Sequence, residues 1–210
     1  MMSKILLING SPHEKGCTYT ALYEAANTLE SLGVDAEILW LGKKPLQDCV
    51  ACGACMKLGR CVFNDIVNEA AAKLADCGGL IVGSPVYYAG PTGIVTSFLD
   101  RLTFSCTKDK ALQGKLAAAV VSCRRGGATA AFDRLNKYFQ MSNMAVVGSQ
   151  YWNQVHGFTP DDVRKDLEGL QTMRTLARNM AWLLKCIEAG RQAGIEFPEH
   201  EPVTMTNFID

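Results

Sequence analysis

The sequence predicts an α/β protein built on a doubly wound, five-stranded parallel sheet with helices on both faces. Short apolar runs alternate along the whole chain with segments whose apolar residues recur at helical spacing, which is the order expected of strand–helix–strand units. The apolar runs are continuous, as is typical of parallel strands buried on both faces. Because we find no internal repeat, low-complexity tract or linker, the pattern indicates one domain.

The chain of 210 residues has the size of a single α/β domain, and its 48% hydrophobic content suffices for a large core. We assign residues 1–190 to the domain, with an irregular cysteine-bearing loop at residues 42–64 after the second strand. Residues 191–210 are polar and interrupted by proline. They are predicted to form a tail, for which packing on a neighbouring subunit is one expected role.

Each element is identified by its own pattern. The predicted strands are residues 4–9, 34–41, 79–84, 115–122 and 144–149. The predicted helices are residues 18–32, residues 65–76, a helix with Pro91 in its first turn, residues 128–141, and a last helix that begins at Thr159 and carries an apolar stripe from Val163 through Leu167 to Ile187. Ligands of such folds bind at the carboxyl ends of the strands, so we expect function in the loops after strands one, three and four.

The charges balance, with 21 basic and 21 acidic side chains. A neutral chain lacks the positive charge that nucleic acids and anionic membranes attract, so small molecules or proteins are the predicted partners. The apolar run before Asn9 is too short for the core of a signal peptide, and no later stretch is long enough to span a bilayer. These features predict a cytoplasmic protein that binds neither nucleic acid nor a membrane.

The loop after the first strand is rich in Gly, Ser and Thr and runs directly into a helix. Amides, hydroxyls and a helix N-terminus in this position can receive a phosphate group. The spacing is neither that of a Walker A loop nor that of the Gly-x-Gly-x-x-Gly dinucleotide fingerprint. The loop therefore indicates a phosphate site of another type, with an ordinary polar turn as the alternative.

The loops after the third and fourth strands can form a seat for a planar ring. One supplies apolar and aromatic side chains between prolines, and the other is a glycine-rich turn with arginines that can pair with a phosphate. The candidate residues are Pro85, Val86, Tyr87, Tyr88 and Gly90 in the first of these loops and Ser122, Arg124, Arg125, Gly126 and Gly127 in the second. The alternatives are core or interface packing for the tyrosines and a solvated surface for the arginines.

The segments Gly10-Ser11-Pro12 and Ser84-Pro85-Val86-Tyr87 resemble those of the NADPH-dependent FMN reductases of the flavodoxin superfamily. The resemblance covers nearly the whole chain and implies a flavodoxin-like sheet with strand order 2-1-3-4-5 and a bound FMN. It implies that the ring seat holds the isoalloxazine and that the FMN phosphate contacts Ser11, His13, Cys17 and Thr18. Where relatives often have arginine and asparagine in the first loop, this chain has His13 and Cys17.

Four of the nine cysteines form a compact motif in the long loop: Cys49, Cys52, Cys55 and Cys61. Loops of this length within a domain are usually functional or disordered. Four thiolates on a short tether can hold an iron–sulfur cubane, whereas structural zinc tends to use two separated pairs. This cysteine motif resembles that of the iron–sulfur flavoproteins, a branch of the same superfamily, which implies a [4Fe–4S] cluster. Zinc and reduced thiols without metal remain the alternatives.

The other five cysteines are scattered along the chain: Cys17, Cys77, Cys106, Cys123 and Cys186. Most of them are predicted to be small, buried apolar side chains. Disulfides are not expected, because the predicted compartment is reducing and the chain is large enough to fold without them.

A protein that holds both FMN and a cluster is expected to be an oxidoreductase that exchanges electrons among NAD(P)H, ferredoxin-like carriers and small acceptors. We assign no acid–base residue. His156 is the candidate for a substrate contact, with a structural role as its alternative. Tyr151 and Trp152 are expected at a subunit interface, since members of the family form dimers and tetramers, and a homodimer or homotetramer is therefore predicted.

Three other functions stay open from the sequence. The first is a cluster-free, NAD(P)H-dependent reductase of quinones, flavins or other aromatic acceptors. The second is a non-enzymatic electron carrier like the small flavodoxins, although the neutral charge disfavours it because docking carriers often use a strongly acidic face. The third is a metal-stabilised interaction module with an empty flavin site.

Overall fold

The computed structural model describes residues 4–208, and residues 1–3 and 209–210 of the predicted domain and tail lie outside this range. The strands are β1 (Lys4–Asn9), β2 (Asp35–Trp40), β3 (Gly79–Pro85), β4 (Leu116–Cys123), β5 (Ala145–Val146) and β6 (Gln154–His156). Their order is β2-β1-β3-β4-β5, which confirms the predicted topology, and β6 also pairs with β4. These pairs are parallel, so the loops that leave β1, β3 and β4 emerge at one edge of the sheet.

Helices cover both faces of this sheet. They are α1 (Cys17–Ser31), α2 (Cys55–Leu58), α3 (Ile66–Ala75), α4 (Gly93–Cys106), α5 (Ala128–Met141), α6 (Pro160–Lys165) and α7 (Leu167–Gln192). The core has two layers: Ile5 and Leu7 of β1 pack with α1 and α7, whereas Leu6 and Ile8 pack with α3, α4 and α5. Because successive residues of a strand point to opposite faces, burial on both sides explains the continuous apolar run. No helix within residues 4–208 has the length and apolar character needed to cross a bilayer.

The predicted fifth strand at residues 144–149 is wrong in extent. Only β5 pairs with the amino end of β4, and a separate segment, β6, pairs with its carboxyl end. Between them the Ser149 hydroxyl accepts the amide of Tyr151 and donates to the carbonyl of the same residue, which closes a turn away from the sheet. The second segment brings His156 to the edge where the functional loops emerge.

The predicted last helix is in fact two helices, α6 and α7, which meet at Asp166. The Asp166 carboxylate accepts the amide of Gly169 and so caps α7 as a new helix. It also accepts the amide of His156 at 2.6 Å, which fixes the junction to the end of β6. Leu167, placed on the buried stripe by the sequence, lies at this junction and is 75% exposed.

Pro91 precedes helix α4 and does not lie in its first turn. Thr92, at the N-cap, is extended, with φ −64° and ψ 150°. Two buried hydrogen bonds hold it there: its hydroxyl donates to the Gly10 carbonyl at 3.0 Å, and its amide donates to the Ser84 hydroxyl at 3.0 Å. Because these bonds hold Thr92 in an extended conformation, the helix begins at Gly93.

Residues 193–208 contain no helix or strand and are exposed. Contacts of Phe197 and His200 are among those that join this segment to the rest of the chain. The ring of Phe197 lies beside Gly114, and the Asn143 side-chain amide donates to Nε2 of His200 at 2.9 Å. Since Gly114 and Asn143 precede β4 and β5, the segment contacts the amino-terminal edge of the sheet, away from the functional loops.

Gly10 lies where β1 enters the first loop, and no side chain fits at this position. A Cβ on Gly10 would overlap Cγ2 of Val95 on α4 and would lie 2.9 Å from the carbonyl oxygen of Gly83. The Gly10 amide donates to the same carbonyl at 2.9 Å. Glycine therefore allows α4 and β3 to approach the first loop closely.

We expect Gly10→Ala to lower the free energy of unfolding by about 1–3 kcal/mol, because the added methyl group overpacks a closed site. The matched control is Gly93→Ala at the first position of α4, where a Cβ meets no atom within 4 Å and alanine favours the helix by about 0.5–1 kcal/mol. Urea unfolding of both variants and the parent measures these effects. Equal unfolding midpoints for Gly10→Ala and the parent would contradict the close packing.

Candidate functional site

The loops that follow β1, β3 and β4 contact one another. We call residues 10–16 the first loop, residues 86–92 the second loop and residues 124–127 the third loop. Thr92 joins the second loop to the first through its bond to the Gly10 carbonyl. The Val86 amide donates to the carbonyl of Ser122 at 3.0 Å, and the hydroxyls of Ser122 and Thr18 lie 2.8 Å apart. The three predicted loops therefore form one continuous edge.

Side chains from β1 and β2 hold the first loop in shape. The Asn9 side chain accepts the Ser11 amide at 3.1 Å and donates to the Glu14 carbonyl at 2.8 Å. Trp40, the last residue of β2, donates its indole N–H to the Ser11 carbonyl at 2.8 Å. The Ser11 hydroxyl in turn accepts the amide of His13 at 3.1 Å. These bonds fix the loop before any ligand binds.

The four residues predicted to contact a phosphate differ in what their side chains offer. Ser11 and Thr18 are buried, and their hydroxyls already take part in hydrogen bonds within the protein. His13 is exposed. The Cys17 sulfur lies 3.8 Å from the Gly157 carbonyl oxygen, and burial raises the pKa of this thiol, which keeps it neutral at pH 7. A phosphate here would depend mainly on backbone amides.

Three helices begin at this edge without negative charge at their N-termini. Helices α1, α4 and α5 have neither a side-chain cap hydrogen bond nor an acidic residue in the first turn. By contrast, α3, α6 and α7 are capped by Asp65, Thr159 and Asp166 and have acidic first turns. Because the first amides of a helix have no partner within it and carry partial positive charge, the edge formed by α1, α4 and α5 favours an anion.

The second loop is a tight turn with an aromatic tip. Tyr87 and Gly90 exchange two backbone hydrogen bonds of 2.8 and 2.9 Å, and the residues between them, Tyr88 and Ala89, have φ of 48° and 60°. Two successive left-handed residues without glycine cost about 1–3 kcal/mol each, and strain of this kind concentrates at ligand sites. Tyr88 is fully exposed and Tyr87 half exposed, so the turn can serve as an aromatic wall.

The third loop packs against this turn. Gly127, at the N-cap of α5, has φ of 86°, and a Cβ there would lie 2.9 Å from Cα of Ala89 and 3.1 Å from Cγ1 of Val86. Arg124, Arg125 and Gly126 are exposed. The arrangement keeps the glycine backbone close to the aromatic turn and leaves two cations at the edge, where they can meet an anionic ligand.

A second candidate site lies in the long loop after β2. The four residues of the cysteine motif line one cavity of about 160 Å³. Much of the remaining wall is apolar, with contributions from Val50, Met56, Val62, Phe63 and Phe104. Within residues 4–208 no group of three or more His, Cys, Asp or Glu side chains is placed to hold a metal ion. Four cysteines lining one cavity nevertheless match the donor set that iron–sulfur clusters use.

Arg101 of α4 lines this cavity and is 2% exposed. Its guanidinium group pairs with both carboxylate oxygens of Asp65, at 2.8 and 2.9 Å. It also donates to the carbonyls of Gln47 and Phe63 and, through Nε, to the Cys61 sulfur at 3.3 Å. Burial alone lowers the pKa of Arg101, but the hydrogen bonds to Asp65 and Cys61 outweigh it and raise the pKa, so the side chain stays charged.

All nine cysteines lie within residues 4–208 and are free thiols. Of the five outside the motif, Cys77, Cys106 and Cys123 are buried, in agreement with the prediction, and burial raises the pKa of each thiol. Cys17 is half-buried and Cys186 is exposed, so most of the five, as predicted, are buried.

The sequence profile of the NADPH-dependent FMN reductases matches residues 3–159. An iron–sulfur flavoprotein of Methanocaldococcus jannaschii is 31% identical over 193 residues, which cover 88% of this chain and 99% of the relative. The protein belongs to the NADPH-dependent FMN reductase family, in its iron–sulfur flavoprotein branch.

Solved structures share the fold of this FMN reductase family member. RosB, solved with a bound 8-demethyl-8-formylriboflavin-5′-phosphate intermediate, superimposes with a TM-score of 0.68 at 15% identity, covering 99% of this chain and 92% of RosB. A flavodoxin from the domain Archaea superimposes with a TM-score of 0.56 at 17% identity, covering 87% of this chain and 98% of the flavodoxin. At these identities the likeness establishes the flavodoxin-like fold.

Several residues that shape the sites of this FMN reductase family member were missed by the sequence analysis. Asn9, Trp40 and Thr92 are polar or aromatic residues at the ends of strands and loops, and the sequence gives no sign that they bond to the first loop. Arg101 had a detectable signal: it is a charged residue between Leu99 and Leu102 on the apolar face of α4. Burying a charged side chain on such a face is costly unless a group of opposite charge or a hydrogen-bond acceptor lies beside it.

Of the remaining predicted residues, the structure places His156 at the edge. His156 ends β6, and its Nδ1 is 3.8 Å from a carboxylate oxygen of Asp166. Tyr151 and Trp152 precede β6, are half exposed and have ring centroids 4.7 Å apart. Their exposure leaves both rings available to a ligand or to a second subunit of the family member.

Proposed function

We propose that this protein is an FMN-dependent oxidoreductase that also binds a [4Fe–4S] cluster on the cysteine motif. The course of α4 is the observation that carries the proposal. The helix begins at the edge formed by the three loops, and its later residues Arg101, Phe104 and Ser105 line the cysteine cavity. Arg101 is nine positions after Thr92, which corresponds to about 14 Å along the helix at about 1.5 Å per residue. One rigid helix thus connects the two candidate redox sites.

The FMN phosphate is proposed to bind at the start of α1, against the backbone of Ser11, His13, Cys17 and Thr18. The uncapped N-termini of α1, α4 and α5 support this position, because they concentrate partial positive charge there. The isoalloxazine is proposed to lie along the second and third loops. The residues for this role are Pro85, Val86, Tyr87, Tyr88, Gly90, Ser122, Gly126 and Gly127.

When bound, FMN supplies two-electron chemistry and the cluster one-electron chemistry, so a protein with both can connect NAD(P)H, ferredoxin-like carriers and small acceptors. The residues of the chain bind and orient these groups. The strained turn at Tyr88 and Ala89 presents the aromatic wall, and the exposed guanidinium groups of Arg124 and Arg125 can pair with the phosphates of a nicotinamide cofactor.

The test is the composition of the protein purified without oxygen. We expect about one FMN, about four iron atoms and about four acid-labile sulfides per chain, with a flavin spectrum beneath a broad cluster absorption. Full FMN content with iron near zero would identify a cluster-free reductase instead, and failure to take up FMN would contradict the proposal as a whole. Steady oxidation of NAD(P)H by the pure protein would separate an enzyme from a carrier.

We further propose a cytoplasmic homodimer or homotetramer in which residues 1–190 form one domain and residues 191–210 a tail. Nine free thiols suit a reducing compartment. The aromatic side chains of Tyr88, Tyr151 and Trp152 are exposed. A subunit contact over these side chains would remove solvent-exposed apolar surface from water.

A further inference from the structure

Arg101 is a buried cation whose bonds are all directed at the cysteine loop and its end. Its side chain is 1% exposed. The two terminal nitrogens donate to both oxygens of the Asp65 carboxylate and to the carbonyls of Gln47 and Phe63, the latter two at 3.1 Å. The fifth N–H, on Nε, points at the sulfur of Cys61 at 3.3 Å. Every donor of the guanidinium group is therefore used.

This set of bonds holds Cys61 in a fixed position. Gln47 precedes the cysteine motif and Phe63 follows it, so one side chain of α4 secures both ends of the loop. The backbone of Cys61 is held as well: its amide donates to Oδ1 of Asn68 and its carbonyl accepts from Nδ2 of Asn68, both at 3.0 Å. Because α4 packs against the sheet, the position of Cys61 is set by the core of the protein.

The bond to sulfur also brings positive charge to one corner of the cavity. Arginine keeps its charge in proteins, and its counter-ion Asp65 is partly exposed and also caps α3. Hydrogen bonds to the ligand sulfurs and the surrounding charge set the reduction potential of an iron–sulfur cluster. Reduction adds a negative charge, so an N–H donor and a cation beside a ligand sulfur stabilise the reduced state.

We propose that Arg101 is a positioning residue that fixes Cys61 for cluster ligation and raises the reduction potential of the cluster through the bond from Nε to the Cys61 sulfur. The inference rests on the proposed function, since it requires a cluster on the cysteine motif. It goes beyond that function because it gives control of the potential to a residue of α4 that is outside the motif.

The test compares Arg101→Gln with Arg60→Gln. Both variants remove one positive charge, but Arg60 is exposed and adjoins Cys61 in the sequence, so it controls for charge alone. Anaerobic redox titration followed by electron paramagnetic resonance gives the cluster potential, and the FMN potential in the same sample serves as an internal reference. We expect a more negative cluster potential in Arg101→Gln, no shift in Arg60→Gln and an unchanged FMN potential. Equal shifts in the two variants, or none in Arg101→Gln, would overturn the inference.

Two further measurements cover the case in which Arg101→Gln fails to fold or to incorporate iron. Arg101→Lys keeps the charge but lacks the Nε donor, and it too is expected to have a lower cluster potential than the parent. In the unaltered protein labelled with ¹⁵N-arginine, pulsed electron paramagnetic resonance of the reduced cluster is expected to show a nitrogen coupling. Its absence would overturn the inference while leaving the proposed function intact, whereas a parent protein without iron would overturn both.

Discussion

Cys52→Ala is expected to abolish cluster binding, with iron falling from about four atoms per chain to near zero while FMN content stays at the parental level. Cys52 is the exposed member of the cysteine motif and lines its cavity. Without this thiolate only three protein ligands face four corners, and the open corner is accessible to water and oxygen. FMN is retained because its proposed seat is built by the three loops after β1, β3 and β4, which contain no residue of the motif.

The control for this experiment is Cys186→Ala. Cys186 is also exposed but lies on α7, in the layer on the opposite face of the sheet from α3 and α4. We expect parental iron and sulfide in this variant. Iron, sulfide and FMN are measured on anaerobically purified proteins. Parental iron in Cys52→Ala would show that the motif does not hold the cluster, and loss of iron in both variants would indicate a general effect of cysteine removal.

Gly127→Ala is expected to raise the dissociation constant of FMN by about 10- to 100-fold, equivalent to about 1.4–2.8 kcal/mol. Two causes act together. Gly127 has φ of 86°, which strains any residue with a side chain, and its new Cβ would lie 2.9 Å from Cα of Ala89. The backbone of the strained turn must move to relieve this contact, so the second and third loops separate where the ring is proposed to lie.

Gly33→Ala separates these two causes. Gly33 also has a positive φ, of 76°, but a Cβ there meets no atom within 4 Å, and the residue lies in the turn between α1 and β2 at the other end of the sheet. Its substitution is expected to reduce stability without changing the dissociation constant of FMN. Fluorescence titration of the FMN-free proteins with FMN measures the dissociation constants of the Gly127→Ala and Gly33→Ala variants. An unchanged constant for Gly127→Ala would contradict the role of the contact between the loops.

Much of the fold follows from local pattern. The run from Ile5 to Ile8 is apolar at every position because both faces of β1 are covered, and all four side chains are fully buried. The bounds of β1 and α5 agree with the prediction, because their ends coincide with Asn9-Gly10 and with Gly127. The break at Asp166 was not evident, since the apolar spacing continues across it and the capping bonds depend on the distant end of β6.

In the candidate sites, too, some features were evident from the sequence and others were not. The cysteine motif and the three loops are local in sequence, so their residue types and spacing identify them. The bonds of Trp40 to Ser11 and of Arg101 to Cys61 join residues 29 and 40 positions apart. These residues become partners because strands, loops and helices that are distant in the chain pack together. A single sequence does not reveal that packing.

By itself, the sequence determined the order of strands and helices, the loops that emerge at one edge and the four clustered thiols, because each of these depends on neighbouring residues. Tertiary structure decided that helices α1, α4 and α5 direct uncapped N-termini at that edge and that a buried arginine reaches the Cys61 sulfur. These features depend on the distance and direction between elements far apart in the chain, and they are set only when the two faces of the sheet bury their apolar surfaces.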